Sequence, residues 1–435
     1  MTAFEPILLR NRGVENSTAL KVYESRGGYQ ALKKALKMTP DEVAEEVKKA
    51  NLRGRGGAGF PAGVKWGFLP KDRTRTLLCV NGDESEPPTF CNRVLMEHDP
   101  HQLIEGTIIA AYATKSQIAY IYLRIEFHEQ FHILQKAVDE AYIAGYLGKG
   151  ILSSGYSLEC YLHRGAGAYV CGEETGLIES LEGKRGWPRI KPPFPAIEGL
   201  FNLPTVVNNV ETLSCVPHII ERGGDWFAKI GPPHSTGPKL FSISGPVRKP
   251  GCYEAAMDIT VRELIERDDM GGGMIDGKKI KGVFPGGISM GILTANELDM
   301  KMDFSDPANY GLLGLGTAAA VVIDEETDIR MVLRNVARFY AGESCGQCTQ
   351  CREGTSWMSK IATRIALGAG RIEDLDILLE TARNMGMMPG LSICGLPDGA
   401  TFPIETIVKK FRPELEAAIA AQPTEQVAHH LRSWN

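Results

Sequence analysis

The stretch ESCGQCTQCREG, residues 343–354, places a cysteine at every third position of a loop of small and polar residues. Zinc sites usually take two paired Cys-x-x-Cys units, whereas three cysteines in one run with a fourth from elsewhere are typical of iron–sulfur clusters. A further cysteine occurs in the stretch LSICG, residues 391–395. We predict an iron–sulfur cluster, with zinc, and with disulfide bonds or free thiols, as the alternatives. The predicted ligands are Cys345, Cys348, Cys351 and Cys394.

Helical periodicity surrounds the cysteine loop from Asp328 onward. One helix is predicted over 355–367, directly after the cysteines. Residues 328–435 are therefore expected to form a small helical bundle that carries the cluster.

The preceding residues, 239–327, have a different pattern of predicted secondary structure. The stretches 240–246 and 251–255 predict a β-hairpin, residues 260–267 a short helix, and residues 280–287 and 319–323 two further strands. A hairpin, a helix and strands within so few residues indicate a small α+β module like a β-grasp fold.

Strands and helices alternate in residues 71–238, which predicts an α/β domain. Such domains bind ligands at the carboxyl ends of their strands. The predicted strands are 76–80, 118–123 and 157–162, the predicted helices are 102–114 and 126–142, and residues 204–212 are predicted to be a turn into another helix.

The first 70 residues are predicted to be a helical segment that ends in a glycine-rich loop. A short helix is expected around 28–37, and Thr39, Pro40 and Glu42 have the spacing of a capping box that starts a helix running to about Ala50. The loop, RGRGGAGFPAGVK at 53–65, matches G-x-G-x-x-G, but it follows a helix rather than a strand, so we reject the standard dinucleotide fingerprint.

Glycines at this position would still let backbone N–H groups approach a phosphate or a flat ring. Arg55 and Lys65 add positive charge to the loop. An ordinary surface loop is the alternative.

Acidic and amide side chains occur at three predicted element ends. The stretch NGDESEP, residues 81–87, follows a strand and is suited to accept hydrogen bonds from sugar hydroxyls or an amide, or else forms a solvated turn. Glu173 and Glu174 lie where a helix begins. The helix dipole stabilises acidic side chains at that end, whatever other role they have. Asn208 and Asn209 could cap a helix or bind a ligand, and capping is the simpler interpretation.

Composition excludes several classes of protein. The chain has 435 residues, enough for two to four domains, and a net charge of −5 that gives no reason to expect nucleic acid or an anionic membrane surface. Ten scattered cysteines argue against a secreted disulfide scaffold and fit a reducing compartment. The N-terminus lacks the pattern of a signal peptide, and no apolar run is long enough to span a bilayer.

Five motifs occur in a fixed order along the chain. They are GRGGAGFP at 54–61, NGDESEP at 81–87, GEET at 172–175, VNNVE at 207–211 and ESCGQCTQC at 343–351. Together they resemble the NADH-binding flavoprotein subunit of respiratory complex I, NADH–quinone oxidoreductase, over residues 20–420. The resemblance implies a Rossmann-like FMN/NADH domain, a ubiquitin-like β-grasp domain and a helical [4Fe–4S] domain. It also implies NADH dehydrogenase activity: hydride transfer from NADH to FMN, then single electrons to the cluster.

The resemblance also implies roles for individual residues. FMN and the nucleotide would be held by Gly54, Arg55, Gly56, Gly57 and Lys65. The flavin or its ribityl chain would be hydrogen-bonded by Asn81, Asp83, Glu84, Tyr169, Gly172, Glu173, Asn208, Asn209 and Thr212. Glu86 and Glu174 would face NADH, Phe68 and Phe194 would stack the adenine, and the four cysteines would ligate the cluster. Lys65 is hypothesised to favour the anionic form of the reduced flavin.

Partners and location follow from the same resemblance. It implies a small thioredoxin-like [2Fe–2S] subunit and a larger Fe–S subunit as partners. It also implies that the chain is a translocase subunit, held through the complex at the cytoplasmic side of the inner membrane without direct insertion. NADH is favoured over NADPH, because an acid at the ribose would repel a 2′-phosphate. One alternative is the diaphorase subunit of an NAD-linked hydrogenase or formate dehydrogenase, although the fused extensions with extra Cys motifs that those often carry are missing. The other is a non-catalytic metal-binding scaffold.

The chain departs from the family pattern beside two motifs. Pro88, Cys91 and Asn92 stand where Gly and a Lys-Asp pair are common, Gly176 replaces a usual Ala, and GLPD follows Cys394 where ALGD is commoner. We expect a different backbone geometry after Glu86, and we interpret Cys91 as a bystander.

Overall fold

The computed structural model of the protein describes residues 4–72, 75–386 and 391–421. Its N-terminal part is helical up to the glycine-rich loop. The helices are α1 (Leu20–Ser25), α2 (Gln30–Ala35), α3 (Pro40–Lys49) and α4 (Ala62–Trp66). Thr39 caps α3 and Glu42 closes the capping box, so that prediction is confirmed. The glycine-rich loop follows α3 and therefore a helix, as expected.

Four parallel strands, in the order β3-β2-β1-β4, form the next layer. The elements of this part are β1 (Leu77–Gly82), α5 (Cys91–His98), α6 (Pro100–Ala113), β2 (Ile118–Leu123), α7 (His128–Ile143), β3 (Glu159–Arg164), α8 (Glu174–Leu181), β4 (Thr205–Asn209), α9 (Val210–Arg222) and α10 (Gly224–Ala228). The prediction of a turn over 204–212 is wrong in its first half, which forms β4 beside β1. This parallel α/β sheet confirms the predicted fold class of the region.

Both faces of the parallel sheet are buried, as a sheet with crossover helices requires. Alternate residues of β1 face opposite ways: Leu78 and Val80 join the main core, which includes α6 and α9. Leu77 and Cys79 join a second core beneath α8. The strand ends are left uncovered, and this is where the cavity described below lies.

Asp99, between α5 and α6, is a buried carboxyl group in this core. Its Oδ2 accepts a hydrogen bond from Asn11 Nδ2 at 2.7 Å, while its Oδ1 has no hydrogen-bond partner in the described part of the chain. Burial raises the pKa of Asp99 to about 7. The folded protein therefore keeps a proton that the unfolded chain loses near pH 4, so the free energy of unfolding should fall as pH rises from about 4 to 7.

Replacing Asp99 with asparagine should flatten this part of the pH–stability profile. The difference between pKa 3.8 and about 7 corresponds to on the order of 4 kcal/mol, which is the upper bound for the stability that the parent protein loses at pH 8 relative to pH 4. Urea unfolding at the two pH values measures it. Asp258→Asn, at an exposed position, is the control and should leave the profile unchanged. Identical profiles for Asp99→Asn and the parent protein would contradict the assignment.

A mixed five-stranded sheet follows, in the order β6-β5-β9-β7-β8 with β5 parallel to β9. The hairpin, the short helix and the returning central strand confirm the expected β-grasp module. Its elements are β5 (Pro238–Ser244), β6 (Gly251–Ala256), α11 (Val261–Glu266), β7 (Ile280–Phe284), β8 (Leu293–Thr294) and β9 (Ala319–Asp324).

The C-terminal part is helical, as predicted, with the cysteine loop between its first two helices. The helices are α12 (Ile329–Glu343), α13 (Thr349–Ala366), α14 (Glu373–Met385), α15 (Leu396–Lys410) and α16 (Arg412–Ala420). The helix predicted over 355–367 begins earlier, because Cys348 takes the N-cap position and puts Cys351 in the first turn of α13.

Within the described ranges, no helix combines the length and apolar character needed to cross a membrane. The division into domains at residues 70, 238 and 327 remains a proposal.

Candidate functional site

A cavity of about 250 Å³ opens at the carboxyl ends of the parallel strands. Its walls come from the glycine-rich loop, from the loops after β1, β3 and β4, from two loops of the β-grasp module, and from residues 394–396. β1 has β2 on one side and β4 on the other, so the strand order reverses beside it. Open α/β sheets bind ligands at this kind of reversal.

The glycine-rich loop lines the cavity with peptide groups rather than with side chains. Gly57 has φ +121°, and a Cβ there would meet no protein atom within 4 Å. Arg55 also lines the cavity, but its side chain is only 2 % exposed and its guanidinium donates to the carbonyl oxygens of Thr236 at 2.6 Å and Pro238 at 3.1 Å. The charge of Arg55 is therefore bound to main-chain oxygens instead of standing free beside a ligand.

If the loop holds the flavin that the sequence resemblance implies, replacing Gly57 with valine should weaken flavin retention at least about tenfold. A β-branched residue strains this positive φ by on the order of 1–3 kcal/mol, and its side chain would project into the open space of the cavity. Flavin fluorescence released on dilution measures the affinity. Gly314→Ala is the control, because a Cβ there meets nothing within 4 Å and φ is not positive. Equal retention by the two variants would show that the loop does not contact flavin.

The acidic loop after β1 is partly structural. The carboxylate of Glu84 accepts hydrogen bonds from the backbone N–H groups of Asn92 at 2.7 Å and Arg93 at 2.9 Å, in the first turn of α5. Asp83 accepts a hydrogen bond from the Ser85 hydroxyl. Burial raises the pKa of both carboxyls to about 7. Both carboxyl groups line the cavity and offer protonatable hydrogen-bond acceptors there. The loop is therefore not the solvated turn that the sequence left open.

Glu86 joins three parts of the chain at the cavity wall. Its carboxylate accepts hydrogen bonds from the Tyr169 hydroxyl at 2.6 Å and the Ser289 N–H at 2.8 Å. Burial raises its pKa. Tyr169 in turn donates its N–H to Glu343 at 3.0 Å, immediately before the cysteine loop, and its ring packs edge-on against Tyr340. The carboxylate is thus held rigidly between the parallel sheet, the β-grasp module and the helical bundle.

The predicted amide and hydroxyl residues divide into two groups. Asn81 lines the cavity and donates to the carbonyl of Gly172, and Asn209 lines it while capping α9, as the simpler interpretation expected. Asn208 accepts a hydrogen bond from Trp66 Nε1 at 2.8 Å, and the Thr212 hydroxyl accepts one from the Arg55 N–H. Neither Asn208 nor Thr212 is among the residues that line the cavity, so both support the wall from behind.

Two carboxylates and two lysines form an ion-pair network beside the cavity. Lys65 Nζ lies 2.6 Å from Glu174, and Lys191 Nζ lies 2.7 Å from Glu173 and 3.1 Å from Glu174. Glu173 also caps α8 and lines the cavity, whereas Lys65, Glu174 and Lys191 do not. The two nearby lysines lower the pKa of Glu174 against the effect of burial.

The two predicted aromatic residues lie outside the cavity lining. Phe68 is 54 % exposed and packs against Phe60, with ring centroids 5.8 Å apart, and Phe194 is 56 % exposed. Gly54 is likewise absent from the lining, and its N–H bonds the Phe60 carbonyl.

The four predicted cysteines surround a second, smaller cavity together with Pro188, Gln347, Ile393, Leu396 and Pro397. Three sulfur atoms already have hydrogen-bonding contacts: Cys348 with the Ile393 N–H at 3.4 Å, Cys351 with the Ser344 hydroxyl at 3.2 Å, and Cys345 with Gln347 at 3.8 Å. Among the described residues, no three His, Cys, Asp or Glu side chains are grouped to hold a single metal ion. Four thiols around a cavity are the donor set that a [4Fe–4S] cluster takes.

Cys394 and Leu396 line both cavities. The site predicted for the flavin and the site predicted for the cluster therefore share a wall.

Sequence reasoning missed several residues of the larger cavity. Ser289, Met290, Gly316 and Thr317 reach it from the β-grasp module, and no motif marks them. Lys191, which lies beside the cavity and not in its lining, was also missed. Its position in the basic, proline-rich stretch 184–195 is a signal that could have found it, and it pairs with two predicted acidic ligands.

Comparisons with known proteins agree with this arrangement. Family models match residues 47–218 (Nuo51 FMN-binding domain), 239–313 (SLBB domain) and 331–418 (NADH-ubiquinone oxidoreductase-F iron-sulfur binding region). The chain is 50 % identical over 418 residues to an F subunit of NADH-quinone oxidoreductase of Rhizobium meliloti, covering 96 % of this chain and 98 % of the relative. It is 46 % identical to NADH dehydrogenase [ubiquinone] flavoprotein 1, mitochondrial, of Dictyostelium discoideum, covering 93 % and 84 %.

A solved structure, an NAD+-reducing [NiFe]-hydrogenase in the H2-reduced state, has a chain with a TM-score of 0.82 and 35 % identity to this one. The alignment covers 92 % of this chain and 65 % of the hydrogenase chain.

Proposed function

The chain belongs to the family of NADH-quinone oxidoreductase F subunits, and from this membership we propose how its residues perform the reaction of that family. The protein is the electron-input component, an NADH dehydrogenase with FMN and a [4Fe–4S] cluster. Bound FMN would supply an acceptor for the hydride of NADH, and a bound cluster would supply transfer of one electron at a time. The remaining chemistry is positioning, which the residues of the chain supply.

The shared wall of the two cavities supports this function best. Electrons that reach the first cavity need a close acceptor, and Cys394 belongs to both linings. A protein that only stored a metal would have no need of the larger cavity beside its cysteines. The scaffold alternative therefore has less support.

We assign residues to FMN and NADH by their place in the cavity. The peptides of 55–57 would receive the phosphate or the flavin ring, and Asn81, Asp83, Glu84 and Asn209 would hydrogen-bond the flavin and its hydroxyls. Glu86, fixed by Tyr169, would face the nicotinamide. Asn208 and Thr212 would act indirectly through Trp66 and Arg55, and Phe68 and Phe194 would meet the adenine only where NADH extends beyond the cavity.

Lys65 would act through Glu174 at the side of the cavity. Replacing Lys65 with methionine removes one charge-assisted hydrogen bond, worth about 1.5 kcal/mol, and should lower flavin affinity or the rate of hydride transfer about tenfold. Flavin titration and stopped-flow bleaching measure the two quantities. Lys184→Met breaks a comparable surface pair with Glu182 and should change neither. If Lys65→Met also changes neither, the role is wrong.

Electrons must leave to a partner. Cys345, Cys348 and Cys394 are partly exposed, so the cluster cavity lies near the surface of the chain. We propose that the partners are a small thioredoxin-like [2Fe–2S] subunit and a larger Fe–S subunit. We also propose that the assembly places this chain on the cytoplasmic side of the inner membrane.

A diaphorase role in an NAD+-reducing hydrogenase is the second candidate, favoured by the structural similarity reported above. The identity to F subunits is higher, and the alignment spans 98 % of one of them against 65 % of the hydrogenase chain. The quinone-linked function is therefore preferred.

Reconstitution tests the proposed function. The purified chain, supplied with FMN, iron and sulfide, should show flavin absorbance that NADH bleaches, together with iron and sulfide in equal amounts. Stoichiometric zinc without flavin binding would contradict the proposal and favour the scaffold alternative.

A further inference from the structure

Two buried thiols beside the larger cavity, Cys91 and Cys252, have no part in the reaction above. All six cysteines outside the cluster site are buried. Of these six, all in the described ranges, only Cys91 is in the cavity lining. It is the first residue of α5 and follows the acidic loop.

The geometry brings the two thiols together. Cys91 Sγ lies 2.9 Å from the Ser242 hydroxyl oxygen in β5. Ser242 is directly opposite Cys252 in the antiparallel pair β5–β6, which puts both side chains on one face of the sheet with Cβ atoms about 4.5–5.5 Å apart. A hydrogen bond between the Cys252 and Cys91 thiols raises the pKa of Cys252, and burial raises it further.

We propose that Cys91 and Cys252 form a redox-active dithiol that exchanges two electrons with the flavin cavity. The proposal rests on the proposed function, since NADH oxidised in that cavity supplies the electrons. Oxidation by a hydroperoxide breaks two S–H bonds and the O–O bond, and yields one S–S bond, an alcohol and water. Reduction returns two electrons and two protons to the sulfurs: NADH, one solvent proton and the disulfide give NAD+ and both thiols.

Burial restricts the reagents that can reach the two thiols. Cys91 is 1 % exposed, so a reagent reaches it only through the cavity. A small, uncharged oxidant generated or admitted at the flavin site can reach Cys91 by this route, and Cys252, whose thiol is in hydrogen-bond contact with Cys91, then completes the disulfide. The resulting bond would tie α5 to the β-grasp sheet.

Peptide mapping tests the dithiol. The full chain, loaded with FMN and cluster, is treated with hydrogen peroxide, quenched in acid, alkylated in denaturant and digested without reductant. We expect most chains to yield a disulfide between the peptides of Cys91 and Cys252. Cys91→Ser should abolish this cross-linked peptide, and Cys160→Ser, at another buried cysteine, should not.

Addition of NADH after removal of the peroxide tests the electron exchange. Both thiols should return in flavin-loaded protein and should stay oxidised in flavin-free protein. Recovery of Cys91 and Cys252 as free thiols after peroxide overturns the proposal. A cross-link that persists while NADH bleaches the flavin overturns the exchange and leaves the proposed function intact, whereas absence of bleaching overturns both.

Discussion

Replacing Lys239 with methionine should lower the free energy of unfolding by about 3–5 kcal/mol. Lys239 Nζ lies 2.6 Å from Glu211 Oε2, and both side chains are only 1 % exposed. Methionine fills the space of the lysine stem but leaves the Glu211 carboxylate buried without its cation. The remaining hydrogen bond, from the Leu240 N–H at 2.9 Å, does not replace a charge. Chemical denaturation of the full chain measures the change.

Two further variants test whether the destabilisation comes from breaking the buried ion pair and not simply from removing a lysine. Lys48→Met removes a surface lysine 3.6 Å from Glu45 and should cost less than about 1 kcal/mol. The double variant Glu211→Gln, Lys239→Met has no uncompensated buried charge and should recover part of the loss. If Lys239→Met destabilises no more than Lys48→Met, the buried pair does not hold α9 to β5.

Replacing Cys348 with alanine should remove the iron–sulfur cluster and leave the flavin in place. Cys348 lines the cluster cavity but not the larger one, unlike Cys394, which lines both. Removal of a hydrogen-bond partner of a metal ligand lowers metal affinity or activity roughly 10–100-fold. Loss of the ligand itself should lower electron transfer to a downstream acceptor by more than that. Bleaching of the flavin by NADH should persist. Iron and sulfide analysis and the flavin spectrum together measure the outcome.

Cys160→Ala is the matched control for this variant. Cys160 is a buried cysteine in β3, outside the cluster cavity, and its loss should leave iron and sulfide unchanged. Retention of the full iron content by Cys348→Ala would exclude Cys348 as a ligand. Loss of flavin together with iron would mean that the two sites do not load independently.

Local patterns predicted the parts of the fold that depend on local interactions. The capping box at Thr39 and the apolar run of β2 at 118–123 are explained by short-range hydrogen bonding and periodicity. β4 was missed, because its five residues end in two asparagines that resemble a turn. Pairing with β1 overrides that local signal.

Sequence rules about the backbone predicted which residues lie at the site. They did not predict the partners of those side chains whose direction depends on tertiary packing. Asn81 lies at the end of the buried strand β1 and Glu86 follows that strand, and the rule for strand ends places both at the cavity. Arg55 and Lys65 are adjacent in sequence to the glycines, yet their charges meet the carbonyls of Thr236 and Pro238 and the carboxylate of Glu174. Ser289 and Thr317 enter the wall through tertiary packing, which leaves no pattern in the sequence.

The cavity wall that extends from Arg55 to Leu396 also constrains biosynthesis. A ribosome that adds about 5–20 residues per second makes the glycine-rich loop roughly 20–70 s before it makes the last wall residues. A nascent chain therefore cannot enclose the flavin during most of its own translation. Cofactor insertion should be a late step, after release or nearly so, and truncated translation products should emerge from the ribosome without bound flavin.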